Sequence, residues 1–181
     1  MKMAYPMNKL ITGVITVFTL FIIAAGCSSE QAESSSEENT EELKKAPNFE
    51  IATIDGDTVS LQKSMEENKP LVVYFTASWC PICAKNWPVL SKLYPEYKDR
   101  LNLVAIGIDP TDDEEVMRKL SEEEGFTFPV TRGKPDIMRA FGVQSQATTV
   151  GVNTDGTIAF QKNKTALSEE EYRELFDQLV N

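Results

Sequence analysis

Cys80 and Cys83 stand three positions apart in "TASWCPIC" (76–83), directly behind Trp79, in a chain with one other cysteine, Cys27. Two thiols at this spacing can cycle between dithiol and disulfide, supply half a metal site, or form a permanent staple. The chain has no histidine, so imidazole is absent as ligand, general base or member of a nucleophilic triad. A zinc or iron–sulfur site takes about four ligands, and without further Cys or His near the pair only a second copy could complete it. A permanent disulfide that closes so short a loop gains little stability. A peroxide-reducing cysteine is a further alternative, which the local pattern does not suggest. Reversible disulfide exchange is the expected use, with no resident metal.

That chemistry needs a scaffold. "KPLVVYF" (69–75) is a continuous apolar run of the kind found in strands buried on both faces. "CAKNWPVLSKLYPEYKD" follows with Leu90, Leu93 and Tyr97 at helical spacing, and a kink is expected at Pro88. Cys80 then falls at a helix N-terminus, where orphan N–H groups and the helix dipole favour an anion. Such a position lowers a thiol pKa from about 8.5 towards 7. Cys80 is the expected nucleophile and Cys83, one turn on and more buried, the thiol that resolves the mixed disulfide. Pro81 suits the first turn, where its missing N–H is no loss. Trp79 reads as a flat apolar wall for substrate docking, and Trp87 as core.

The remaining segments alternate. "NFEIATIDGDTVSL" holds two β-prone runs around Asp55-Gly56-Asp57, a hairpin signal. "LNLVAIGID" (101–109) is a second buried strand. Thr111 is expected to cap the next helix, with Glu114–Arg118 and Glu115–Lys119 ion pairs along its solvated face. A short extended piece, "FTFPV", and a short helix, "KPDIMRAFGV", come next. Two strands joined at Asp155-Gly156 and a final helix capped by Ser168 and Glu171 close the chain. Parallel βαβ units followed by an antiparallel hairpin imply an α/β domain with a mixed central sheet, helices on both faces and an N-terminal β-hairpin extension.

The first 46 residues differ in character from the rest. Lys2 and Lys9 precede an uncharged, mostly apolar run from Leu10 to Ala25 that ends in "AAGC". A positive start, a short apolar stretch and small residues at the cut describe an export signal. "AAGCSSE" resembles the lipobox of bacterial lipoproteins, with Ala24 where Leu is usual, and the resemblance implies lipidation of Cys27. The expected divisions are a signal at 1–26, a tether at 27–46 and a domain at 47–181. The Ser/Glu-rich tether has too little apolar surface to offset ordering entropy. A net charge of −10 and a pI near 4.6 offer no basic stripe for nucleic acid.

"VVYFTASWCPICAKNWPVL" resembles the active-site strand and helix of the thioredoxin superfamily. With the leading hairpin, the inserted "DPTDDEEVMRKLSEEEGFTFPV" and the late "TTVGVNTDG", residues 47–180 are similar to its membrane-tethered, extracytoplasmic ResA/TlpA-like thiol-disulfide oxidoreductases. The resemblance implies a thioredoxin-like fold and substrate contacts at Trp79, Pro81, Gln146, Ala147 and Thr148. It also implies a lipid-anchored protein on the outer face of a bacterial cell membrane, acting as a monomer on exported protein thiols and disulfides. Reducing apocytochrome cysteines before haem attachment is one implied duty. No nicotinamide or flavin fingerprint occurs, so no cofactor is expected and electrons would come from a membrane partner.

Three positions depart from the family pattern. Ala147 replaces the cis-proline before Thr-Thr, so a trans peptide and a remodelled loop are expected. Asn86 stands where ResA-like enzymes carry a glutamate, and a neutral amide cannot shuttle a proton. Tyr74 occupies the place of a buried aspartate in thioredoxins. The uncharged Pro81-Ile82 pair lacks the histidine of strongly oxidising enzymes, which points to a reductase with a potential of roughly −270 to −200 mV. The rival reading is a non-catalytic module that binds a partner or a metal.

Overall fold

The computed structural model describes residues 44–181. The signal, Cys27 and the tether up to residue 43 lie outside the described residues. Among the described residues, pairing is already present at Lys44, before Pro47. The Lys44 carbonyl accepts the Ile158 N–H at 2.8 Å, Ala46 N–H donates to Gly156 O at 2.9 Å, and Lys45 forms a β-bridge with Thr157.

Twelve elements follow: β1 (Glu50–Ala52), β2 (Thr58–Ser60), α1 (Leu61–Glu66), β3 (Leu71–Thr76), α2 (Cys83–Tyr97), β4 (Asn102–Gly107), α3 (Glu114–Glu124), β5 (Val130–Thr131), α4 (Pro135–Ala140), β6 (Thr148–Val152), β7 (Ile158–Lys162) and α5 (Glu169–Val180). Strands β1 and β2 form the expected antiparallel hairpin. The main sheet has the order β5-β4-β3-β6-β7, parallel from β5 to β3 and antiparallel from β3 to β7.

β3 is the centre of this sheet and is buried along its whole length. Its side chains alternate between two cores, as a strand period of two requires. Val72 and Tyr74 join Leu90, Leu93, Tyr97, Tyr172 and Phe176 beneath α2 and α5. Leu71, Val73 and Phe75 join Phe49, Ile51, Leu61, Phe141 and Val143 on the opposite face. The continuous apolar run in the sequence therefore covers two different surfaces.

Several local expectations change. A short helix, α1, follows the hairpin directly, capped by Ser60 Oγ, which accepts the Lys63 N–H at 3.0 Å. α2 holds Pro88 inside it, as the sequence implies, and a second proline, Pro95, near its end at Tyr97. The cap of α3 is Asp113, whose carboxylate accepts Val116 N–H at 2.9 Å, while Thr111 is bound instead by Asp109. Asp113 lies one residue before the helix and Thr111 is two residues too early. Arg118 pairs with Glu114 as expected, but Lys119 reaches Glu123 at 3.8 Å rather than Glu115. Both are solvated pairs of the kind worth little to stability. The Ser168–Glu171 capping box on α5 is complete.

Phe141, fully buried at the end of α4, meets Phe49 and Phe75 edge-on at ring-centroid distances of 5.8 and 5.5 Å. It thus joins the hairpin and α4 to the central strand. Phe141→Ala is expected to cost about 3–5 kcal/mol, measured by denaturant unfolding. A loss below about 1 kcal/mol would show that this core is not continuous.

Candidate active site

The pair lies where the central strand gives way to the helix packed across it. β3 ends at Thr76, a tight turn from Ala77 to Cys80 closes with Cys80 N–H donating to Ala77 O at 3.1 Å, and α2 starts at Cys83. Ala84 N–H donates to Cys80 O at 3.1 Å, which is already a helical bond, so Cys80 occupies the helix N-terminus in all but name. Cys80 and Cys83 are joined by a disulfide with their Cα atoms 5.2 Å apart. Cys83 N–H points at Cys80 Sγ at 3.1 Å. In the reduced state this donor and the open end of α2 would both favour a Cys80 thiolate. Cys80 is 2% exposed and Cys83 fully buried.

Trp79 is 56% exposed, the most exposed large apolar side chain among the described residues. Its indole Nε1–H donates to Asp109 Oδ2 at 2.8 Å. Asp109 also accepts the Thr111 N–H and Oγ1–H through Oδ1, and these bonds, then the indole bond, hold its carboxyl below the usual carboxylate range. Pro81 is exposed and Gln146, which precedes Ala147, is half-buried. Trp87 is core, its Nε1–H donating to Thr76 Oγ1 at 3.0 Å.

Ala147 and Thr148 have no free side-chain surface. Ala147 shares the buried cluster of Cys80 and Cys83, and every peptide bond among the described residues, including Gln146–Ala147, is trans. Its φ is +54°, the left-handed region that a residue with Cβ enters at a cost. The segment Lys164–Leu167 holds it there. Thr165 N–H donates to Ala147 O at 3.0 Å, and Lys164 N–H to Thr148 Oγ1 at 3.3 Å. What Ala147 could offer a substrate backbone is therefore limited to its own N–H and the groups of Gln146.

Asn86 connects that segment to the active-site helix. Fully buried, its Nδ2 donates to Thr165 O at 2.9 Å and to Tyr74 Oη at 3.1 Å, and its Oδ1 accepts Leu167 N–H at 2.9 Å. The residue that lacks a proton to move is a strut with three bonds made. Tyr74 is no substitute base, because burial raises its hydroxyl pKa far above the ordinary value. Two carboxylates do bond to the turn before Cys80, Asp109 to Trp79 and Asp112 to Ser78, both from the loop after β4. Reasoning from sequence passed over them, although a position just past the carboxyl end of the strand beside β3 is where α/β sheets place their sites.

Asn86→Ala would leave Thr165 C=O and Leu167 N–H unpaired and is expected to cost about 2–3 kcal/mol, read from the denaturant midpoint. An unchanged midpoint would contradict the strut. Asp109 has a depressed folded pKa, so its bond to Trp79 is present above the unfolded carboxyl pKa and is lost as pH falls through the lower folded value. The Trp79 indole N–H resonance is expected to hold steady down to about pH 4 and to move only below it. A midpoint at or above that pH would contradict the anchoring.

Residues 43–165 match the AhpC/TSA family. "Thioredoxin-like protein YneN" of Bacillus subtilis is 28% identical over 84% of this chain and 88% of its own length. "Thiol-disulfide oxidoreductase ResA" of Bacillus cereus is 28% identical over 96% of this chain and 98% of its own length. Among solved structures, a thioredoxin-family thiol:disulfide interchange protein from Chlorobium tepidum superposes with a TM-score of 0.68 at 20% identity, over 77% of this chain and 97% of the other. That likeness establishes the thioredoxin-like fold. With its oxidised Cys80–Cys83 pair at the strand–helix junction, the chain belongs to the AhpC/TSA family and is a thioredoxin-like thiol-disulfide oxidoreductase.

Proposed function

We propose that this oxidoreductase works as a reductase of exported proteins, held by a lipid on Cys27 at the outer face of a bacterial membrane. The observation that carries the reading is the Cys80–Cys83 disulfide at the N-terminus of α2, with Cys83 N–H directed at Cys80 Sγ. The uncharged Pro81-Ile82 pair between the cysteines and the lipobox-like "AAGC" support the direction and the location. Apocytochrome cysteines before haem attachment are one fitting substrate class.

In the forward direction the Cys80 thiolate attacks one sulfur of a substrate disulfide. That S–S bond breaks, a mixed disulfide forms, and one substrate sulfur leaves as a thiolate and takes up a proton. Cys83 then loses its proton and attacks Cys80 Sγ, which breaks the mixed disulfide and releases the second substrate thiol. The products are a substrate dithiol and the Cys80–Cys83 disulfide, so two electrons have passed to the substrate. A membrane partner must return two electrons to the pair. Neither Asn86 nor Tyr74 can take the Cys83 proton, so it passes to the departing thiolate or to water.

The full-length protein tests this directly. Cys83→Ser, mixed with reduced-and-reoxidised insulin as a generic disulfide substrate, is expected to accumulate a dithiothreitol-sensitive adduct through Cys80. Cys80→Ser is expected to trap nothing and to lose turnover. Turnover retained in Cys80→Ser, or no adduct in Cys83→Ser, would sink the reading and leave a non-catalytic binding module.

A further inference from the structure

Asp112 is 2% exposed, and among the described residues no cation pairs with it. Both its oxygens accept from one residue. Ser78 N–H donates to Oδ2 at 3.0 Å and Ser78 Oγ–H to Oδ1 at 2.6 Å. A buried anion with hydrogen bonds but no counter-charge is costly to keep.

Its location suggests what that cost supports. Ser78 and Trp79 are the two central residues of the Ala77–Cys80 turn that presents the nucleophile. Asp112 holds the first and Asp109 the second, so one loop grips both. That loop is itself fixed. Asp112 N–H donates to Asp109 O at 3.0 Å, Gly133 N–H donates to Asp112 O at 2.7 Å, and Asp113 caps α3. Gly133 packs so tightly on the Asp109 carbonyl that any Cβ there would collide with it.

We infer that Asp112 is a positioning residue for Cys80: it fixes the turn through Ser78, and its negative charge weights the pair towards the disulfide. The inference rests on the disulfide-exchange reading of the pair. A buried carboxylate bound to Ser78, two residues before Cys80 in the same turn, opposes a second negative charge there, so the thiolate that the helix terminus favours is held in check. Less thiolate stabilisation makes the reduced form less favoured and the pair more reducing. The other charged groups around Asp112 are Asp109 and Asp113 on its own loop, and Arg132 and Lys134 either side of Gly133. None of these forms an ion pair with it among the described residues.

Two variants of the full-length protein separate charge from geometry. Asp112→Asn keeps the shape and an acceptor oxygen but removes the charge. It is expected to lower the Cys80 pKa by about one unit, read from the pH dependence of iodoacetamide alkylation. A tenfold change in the dithiol–disulfide equilibrium would accompany it, equal to about 30 mV towards oxidising. Ser78→Ala removes one bond that disperses the charge, and is expected to shift the Cys80 pKa the other way. A purely structural role would lower Tm in both variants and move the Cys80 pKa in neither, which would overturn the inference. Should Asp112→Asn fail to fold, an unchanged pKa in Ser78→Ala overturns it alone. If the wild type forms no reversible disulfide with glutathione, the exchange reading fails and this inference fails with it.

Discussion

The contact on which the site depends is the one between Cys83 N–H and Cys80 Sγ at 3.1 Å. It exists only because a strand and a helix meet end to start, so that an unsatisfied helix donor faces the sulfur of the residue that closes the preceding turn. The strand must therefore be immovable. β3 achieves this by being central in the sheet, hydrogen-bonded to β4 on one edge and β6 on the other, and buried on both faces. The helix is fixed equally firmly through Trp87, Leu90, Leu93 and Tyr97 in the core beneath it.

Two supports at some distance in sequence complete the arrangement. Lys164–Leu167 reaches across from the β7–α5 connection, holding Ala147 and Thr148 on one side and Asn86 of α2 on the other. The loop after β4 is the second support, with Asp109 on Trp79 and Asp112 on Ser78. The turn, the helix and the Ala147 loop are thus tied together by polar bonds that a purely apolar core could not direct. These bonds also explain how a residue with Cβ remains at φ +54° beside the pair.

How legible this was in the sequence depended on the range of the interaction. The buried strands, both hairpins and the Ser168–Glu171 box are local patterns, and the structure has them where the residues imply. Strand β3 read correctly because its run "LVVYF" is apolar without alternation, which fits only burial on both faces. The helix α1 was missed because one short helix carries too few apolar repeats to show a period. Thr111 and Asp113 are both good caps, and the choice between them was made by Asp109, which captures Thr111. Asn86 read as a lost proton carrier because its partners Thr165 and Leu167 lie far along the chain. Asp112 and Ser78, more than thirty residues apart, were invisible for the same reason.

The central claim is that this pair is a reversible, reducing disulfide. The most direct test is its reduction potential in the full-length protein, equilibrated against glutathione and dithiothreitol buffers and read by alkylation of the free thiols. A value within roughly −270 to −200 mV is the result this account predicts. A value above about −150 mV would make the pair a disulfide donor and reverse the direction of flux. Failure to form any reversible disulfide would contradict the redox function itself.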